Sequence, residues 1–365
     1  MSFPTHHLDD LSAMRHALAL AHDAIGLTDP NPRVGCVIVS SQNQVIGSGH
    51  TQAAGQAHAE VMALRDAAHR GFDVRGATVY VTLEPCAHHG RTPPCCDALI
   101  AAGVGRVVAA LEDPNPQVRG QGMARIAAAG IKTQSGLLAD EARELNIGFL
   151  TRMQTGRPYV RLKIAASLDG RTALNDGQSQ WITAEAARRD GHAFRKRAGA
   201  VLTGIGTVRE DDPRLDVRLV ETPRQPLRVV IDSRLEIQAD AKLLAAPGEV
   251  LIYCAIAPTS RSELKAEIVS LPGASGKVDL PAVLDDLGRR GINELHVEAG
   301  HKLNGSMLRE GLVDELLVYL APKLIGEGRE MAAFGPLASL NDALPWRWID
   351  CTPVGVDLRL RARRA

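Results

Sequence analysis

Aromatic side chains are scarce in this chain: five Phe, four Tyr and three Trp among 365 residues. Proteins that grip single-stranded nucleic acid stack bases on such rings, so the composition speaks against that class. Net charge is missing as well, because 42 Lys and Arg balance 42 Asp and Glu. No field of one sign steers the chain toward nucleic acid or a membrane surface. No apolar run is long enough to span a bilayer, and the opening MSFPTHHLDD lacks the charged-then-apolar order of an export signal. Six cysteines do not make a disulfide framework in a chain of this length, and three of them are clustered. These absences predict a cytoplasmic protein with no nucleic-acid and no membrane partner. Abundant alanine and glycine suit α/β packing, and the length predicts two domains at about 100–200 residues each.

The richest stretch runs from His58 to Cys96. It holds His58, Cys86 and Cys95, borderline or soft donors of the kind zinc prefers, and a carboxylate, Glu60, two residues after the histidine. A catalytic zinc keeps three protein ligands and one open position, and a carboxylate beside that position can shuttle protons. Zinc nucleobase deaminases use this grouping: H-x-E, then Pro-Cys, then a second Cys. Ala59–His69 is rich in helix formers, which puts His58 at a helix start with Glu60 in the first turn. ATVYVTL (77–83) reads as a buried strand ended by Glu84-Pro85, and Pro93-Pro94 delivers Cys95 to the next helix. Helix starts favour thiolate over thiol. The nucleobase-deaminase signature has two residues between its cysteines, whereas Cys86 and Cys95 enclose AHHGRTPP. Spacing alone leaves Cys96 as a competing thiol. His88 and His89 read as surface polar residues.

PCAHHGRTPPC, preceded by HAE, closely resembles the deaminase half of the bifunctional riboflavin-biosynthesis deaminase/reductase family, where the ligand pair takes this longer form. The resemblance favours Cys95 over Cys96. It implies a cytidine-deaminase-like α/β/α domain over residues 1–150. Upstream, Leu11, Met14, Leu18, Ala21 and Ile25 predict one apolar face of a helix over 8–26, and VGCVIVS (34–40) a buried strand with Cys36 as a core thiol. Asn31 reads as a turn residue by itself, but PNPRVGCVIV resembles the family segment whose asparagine contacts the pyrimidine. His50, an ordinary loop histidine on its own, matches the family pattern ahead of HAE and becomes a pocket residue. Arg91 within GRTPPC is a candidate for the substrate phosphate. Beyond Cys95, strand and helix alternate to a closing helix at 138–150, which predicts helices on both faces of a largely parallel sheet.

TRMQTGRP breaks the pattern, and a second domain, 151–365, opens with RPYVRLKIAASLDGRTAL. Taken alone, Lys163 in that strand could point to solvent. The stretch resembles the reductase half of the same family, whose fold is like dihydrofolate reductase. SQWIT (179–183), GIGTVREDDPRLDVR (204–218), VVIDSR (229–234) and VEAGHKLNGSMLREGLVDEL (297–316) continue the match in order. Gly204 and Gly206 suggest a dinucleotide fingerprint, but Arg209 stands where its third glycine belongs, so the Rossmann reading fails. The resemblance instead implies an NADPH site lined by Ala166, Trp181, Thr183, Thr207, Asp211 and Ser233. It adds the run Gly300, His301, Lys302, Leu303, Asn304, Gly305 and Ser306, which could approach pyrophosphate at a helix start. Ser179, Arg195, Arg214 and Arg218 then hold the substrate, since a guanidinium fork suits phosphate. Lys163 and Glu298 sit by the sugar carbon that receives hydride. Without the resemblance each of these arginines reads as a solvated surface charge.

The implied function is zinc-dependent deamination of a phosphoribosylamino-pyrimidinone, followed by NADPH reduction of its ribosyl side chain to ribityl. The expected partners are this small phosphoribosyl-pyrimidine substrate and further copies of the chain, as a dimer or tetramer. A zinc deaminase acting on a nucleotide or RNA, with a second domain that only binds, is disfavoured by the long cysteine loop and the lack of a basic aromatic surface. A structural zinc protein with Cys96 as fourth ligand leaves Glu60 unexplained. The basic tail LRLRARRA reads equally as a final strand, a frayed end or an interface.

Overall fold

The computed structural model describes residues 9–89, 93–114, 119–257 and 261–364. Two compact units divide the chain between Thr155 and Gly156.

The first unit runs α1 (Asp10–Asp23), β1 (Gly35–Val39), β2 (Val45–His50), α2 (Ala59–His69), β3 (Thr78–Val81), α3 (Cys95–Ala101), β4 (Arg106–Ala109), α4 (Gln121–Ala128), β5 (Lys132–Ser135), α5 (Ala139–Leu145) and α6 (Ile147–Thr155). Its sheet has the order β2-β1-β3-β4-β5. Only β3–β4 and β4–β5 pair in parallel; β1 pairs antiparallel with both β2 and β3, so the expectation of a largely parallel sheet is corrected to a mixed one. The cause is a tight turn at Ser40–Gln44, too short for a crossover, which returns the chain as a hairpin. The return strand VIGSGH is hidden in sequence by its glycines. A Cβ on Gly47 would lie 2.4 Å from the Ala63 carbonyl oxygen, and one on Gly49 would lie 2.5 Å from the Met62 Cβ, so α2 can sit on β2 only because both lack side chains.

Asp9 caps α1 by accepting from the Ser12 N–H at 2.8 Å. The buried face of α1 is Ala13, Met14, Ala17 and Ala21, rotated from the expected one, and Leu11 is left 41% exposed. Small residues win this face because α1 lies hard against β1: a Cβ on Gly35 would stand 1.9 Å from the Ala17 carbonyl oxygen. The single closing helix expected over 138–150 is two helices parted at Asn146. That buried amide accepts from the Arg33 N–H and donates to the Arg33 carbonyl, both bonds tying the chain beside Asn31 to this end of the unit.

The second unit contains β6 (Tyr159–Ser167), β7 (Arg171–Ala173), α7 (Glu185–Arg197), β8 (Ala200–Gly204), α8 (Ile205–Asp211), β9 (Leu227–Ile231), α9 (Lys242–Ala245), β10 (Val250–Cys254), β11 (Glu267–Ser270), α10 (Leu280–Arg289), β12 (Glu294–Val297), α11 (His301–Arg309), β13 (Glu315–Ala321), β14 (Arg329–Glu330), β15 (Trp346–Val354) and β16 (Asp357–Arg364). Nine strands form one sheet, β11-β10-β9-β8-β12-β6-β13-β16-β15, parallel from β11 to β13 and closed by the antiparallel β15–β16 hairpin. Leu162, Val229, Leu251, Leu287 and Val297 lie in its core. The basic tail is the strand β16. Its Arg361 and Arg363 converge on Glu315, which is fully buried and also accepts from Arg161 and Tyr159. Arg161, 1% exposed, reaches Glu294 at 2.9 Å as well. Among the described residues no helix is long and apolar enough to cross a membrane.

Candidate active sites

His58 is the residue at which α2 starts, Cys86 follows the exit of β3, and Cys95 opens α3. Their ligand atoms all lie within 4.8 Å of one another. His58 Nδ1 is 3.3 Å from Cys95 Sγ and 3.7 Å from Cys86 Sγ, and the Cys95 N–H donates to Cys86 Sγ at 3.3 Å. The Cys95 thiol beside it is the main reason the Cys86 thiol is held well below its ordinary value, so one sulfur of the pair is readily a thiolate. A histidine and two cysteines, one of them readily ionised, are a donor set that fits zinc. Glu60, in the first turn of α2, is 3% exposed, and burial together with the nearby Cys86 raises its carboxyl to about 7. Cys96 is buried but outside the cluster, its thiol donating to Asp97 at 3.6 Å. His88 and His89 are exposed, and Cys36 is a core thiol of β1.

A residue that sequence reasoning passed over holds this loop in place. Glu84, 4% exposed, accepts four backbone N–H bonds, from Asp113, Gly120, Gly122 and Met123, at 2.9 to 3.2 Å. Gly122 packs so tightly that a Cβ there would lie 1.9 Å from the Pro85 carbonyl oxygen. The start of α4 is thereby fastened to the peptide just ahead of Cys86. Asn31 sits in a turn, its N–H donating to the Thr28 carbonyl at 2.9 Å. His50 ends β2, and its ring lies within 3.3 Å of Gln52 Nε2. Arg91 lies outside the described residues.

The second unit carries a cavity of about 640 Å³ whose wall includes Lys163, Ser179, Trp181, Thr183, Arg195 and Thr207. Asp211, Arg214, Arg218, Glu298, Gly300, His301 and Asn304 complete the set of candidates brought to it. Glu298 is the polar centre: Arg195 binds both of its oxygens, Lys163 Nζ stands 3.8 Å away, and His296 Nε2 is 3.3 Å away. Burial pulls the Glu298 carboxyl up, and Arg195 with Lys163 overrides it, so the group stays an anion far below the usual carboxylate range. Burial lowers Lys163, against the attraction of Glu298. The Ser179 hydroxyl donates to Asp211 at 2.7 Å, and Arg188 stacks over the Trp181 ring, 4.6 Å from its centroid.

Two family models match the chain: the cytidine and deoxycytidylate deaminase zinc-binding region over residues 8–111 and the RibD C-terminal domain over 158–360. The riboflavin biosynthesis protein RibD of Escherichia coli is 46% identical over 366 residues, covering 97% of this chain and 99% of that protein. The chain belongs to the RibD family. A solved RibD structure from Acinetobacter baumannii superposes with a TM-score of 0.88 at 41% identity, covering 98% of this chain and 99% of that one. A diaminohydroxyphosphoribosylaminopyrimidine deaminase/5-amino-6-(5-phosphoribosylamino)uracil reductase from Thermotoga maritima does so with 0.88 at 32% identity, covering 97% and 98%. A RibD chain therefore joins a zinc-binding deaminase domain to a reductase domain, in the two-domain α/β arrangement seen here.

Within this RibD chain the remaining candidates scatter. Ala166 is a fully buried core residue of β6, and Ser233 accepts from the Val278 N–H at 3.2 Å; neither reaches the cavity wall. Of the run 300–306, the residues at the wall are Gly300, at the entry to α11, then His301 and Asn304. Leu303 packs over Gly204, and a Cβ on Gly305 would lie 2.1 Å from the Ala333 carbonyl oxygen, so that glycine serves helix packing. Lys302 is exposed, and the Ser306 hydroxyl bonds back to its carbonyl at 3.2 Å. Asn304 Nδ2 donates to the Met331 carbonyl, while its buried Oδ1 has no partner among the described residues. An orphaned amide oxygen in the wall of a cavity this size fits a polar organic cofactor such as NADPH.

Proposed function

We propose that this chain deaminates 2,5-diamino-6-(5-phosphoribosylamino)pyrimidin-4-one and then reduces the ribosyl group of the product to ribityl, giving 5-amino-6-(5-phosphoribitylamino)uracil. The observation that carries the proposal is the pairing, in one chain, of a His58–Cys86–Cys95 cluster backed by buried Glu60 with a separate cavity centred on Glu298, Arg195 and Lys163. His58, Cys86 and Cys95 hold the zinc, which when bound supplies a Lewis acid that acidifies water. The Glu60 carboxylate takes a proton on the attacking side and delivers it to the departing amine. Asn31 and His50 orient the pyrimidine, and Arg91 meets its phosphate.

NADPH supplies the hydride in the second cavity. There the entry to α11 and Asn304 hold the cofactor, with Trp181, Thr183, Thr207 and Asp211 along its length. The family resemblance assigns Ala166, Ser233, Lys302, Leu303, Gly305 and Ser306 to the same cofactor. Ser179, Arg195, Arg214 and Arg218 hold the phosphoribosyl group. Lys163, whose Nζ lies 3.8 Å from Glu298, serves as the donor to the sugar. Free cysteines fit a cytoplasmic setting. A dimer or tetramer fits the exposed Trp348 and Val356 on and beside the edge strand β15, and light scattering decides it.

The test follows ammonia release and NADPH oxidation together on purified protein. Both signals are expected, NADPH loss waiting on deamination. Glu60→Gln is expected to lower ammonia release by roughly 10²- to 10⁴-fold while sparing reduction of the supplied deaminated compound. Ammonia without NADPH loss, even from that compound, overturns the reductase half and leaves a deaminase with a binding domain.

A further inference from the structure

One buried carboxylate in the second unit has no part in the chemistry above and yet touches three of its arginines. Asp216 is 3% exposed. Its Oδ2 accepts from Arg214 Nε at 2.9 Å and Nη2 at 2.7 Å, and its Oδ1 from Arg218 Nη1 at 2.9 Å. Its backbone carbonyl accepts from Arg195 Nη1 at 2.9 Å, the same guanidinium whose other edge grips Glu298. The segment is pinned on every side. Gln225 donates to the Val217 carbonyl and accepts from its N–H, and the Arg218 N–H donates to His192 Nδ1 at 3.2 Å. Burial works to raise the Asp216 carboxyl, and the hydrogen bonds from Arg214 and Arg218 override it, so it remains an anion.

The geometry leaves the two guanidinium groups with donors to spare. Asp216 occupies the Nε–Nη2 edge of Arg214 and only Nη1 of Arg218. Nη1 of Arg214 and Nε and Nη2 of Arg218 have no protein acceptor among the described residues, and both side chains are about half exposed at the cavity wall. A free arginine loses much rotamer entropy when it closes on an anion, whereas one already held in place loses less. Two guanidinium groups around one carboxylate also keep a net positive charge facing the cavity. That arrangement suits a phosphate monoester, which takes several charge-assisted N–H bonds at once.

We propose that Asp216 is a positioning residue that sets Arg214 and Arg218 as a ready-made clamp for the phosphate of the reductase substrate. The proposal rests on the reductase reading given above and adds the residue that makes its phosphate site rigid.

The experiment measures reduction by the full-length protein with saturating NADPH, on the deaminated phosphoribosylamino compound and on its dephosphorylated riboside, and ribose 5-phosphate binding by calorimetry. Asp216→Asn keeps the shape but turns an N–H toward one arginine. It is expected to raise KM for the phosphorylated compound roughly 10- to 30-fold, with the loss falling on KM rather than kcat and KM for the riboside unchanged. Asp216→Glu is expected to recover part of the affinity, and NADPH binding followed by fluorescence is expected to hold. Arg214→Gln, a change at a half-exposed side chain, repeats the measurement should Asp216→Asn fail to fold. Equal losses on both compounds, a fall in kcat at constant KM, or no change in KM each overturn the proposal. If the wild type reduces neither compound, the reductase reading fails; the clamp is then judged by ribose 5-phosphate alone, standing if Asp216→Asn weakens it and falling if it does not.

Discussion

In the first unit the three metal donors lie between His58 and Cys95, each at the start or exit of an element, and their meeting needs little more than α2, β3 and α3 in order. In the second unit the polar cavity collects Lys163 from β6, Arg195 from α7, Glu298 from the end of β12 and Asn304 from α11, with Arg214 and Arg218 from an irregular segment. A metal tolerates neighbouring like charges because its own charge settles them. The cavity instead holds its arginines with buried carboxylates, Glu298 and Asp216, and the sheet beneath does the same with Glu294 and Glu315. The lesson is that short-range order builds the metal cluster, whereas the arginine-lined cavity depends on a long-range ionic lattice.

The sharpest way to break that comparison is Glu315→Gln. It leaves Arg161, Arg361 and Arg363 without their shared anion and is expected to cost about 3–5 kcal/mol. All three tryptophans, Trp181, Trp346 and Trp348, belong to the second unit, so denaturation followed by tryptophan fluorescence reads that unit selectively. The same probe tests the sign of the pH effect. Glu315 is held far below the ordinary carboxylate range because Arg161 and Arg361 outweigh its burial. Its contribution is therefore complete above the unfolded value of about 4.3 and is lost as the pH falls toward the folded value. Wild type is expected to lose tryptophan-reported stability steeply below about pH 4.5, and Glu315→Gln to show a flatter slope. An equally steep slope in the variant would remove Glu315 as the cause.

A smaller effect is expected at Glu84→Gln. The amide turns an NH₂ toward two of the four backbone donors and loosens the peptide before Cys86, so zinc affinity is expected to fall roughly 10- to 100-fold in chelator competition. Unchanged affinity would mean that the cluster needs no support beyond the three elements themselves, which widens the contrast with the cavity. Smallest is Leu11→Ala, expected within about 0.5 kcal/mol because the side chain is exposed, against about 2–5 kcal/mol for Met14→Ala on the buried face. Thermal unfolding by circular dichroism measures both, and a large Leu11 effect would restore the helix face expected from periodicity.

Much of the first site was legible from residue types and order: H-x-E, a strand, Pro-Cys and a cysteine at a helix start. The hairpin strand was not, because VIGSGH carries two glycines whose purpose is contact with α2 rather than strand propensity. Nor was the break at Asn146, a polar residue inside a helical pattern whose value lies in two bonds to Arg33, 113 residues earlier. The C-terminal run of arginines left three readings open until Glu315 and Asp190 supplied partners for it.

The sequence by itself determined the H-x-E and Pro-Cys donors of a metal site and the failure of the dinucleotide fingerprint, because each depends on residue type at close spacing. The choice of Cys95 over Cys96 and the order of the two domains came with the family resemblance. Tertiary structure decided which glycines serve packing and which of the arginines are held rather than solvated. It also decided which buried carboxylates gather donors: Glu84 from backbone N–H groups, and Asp216, Glu298 and Glu315 from arginines. The physical reason is that a buried charge is tolerated only with partners, and those partners can lie far off in sequence, 156 residues apart for Tyr159 and Glu315.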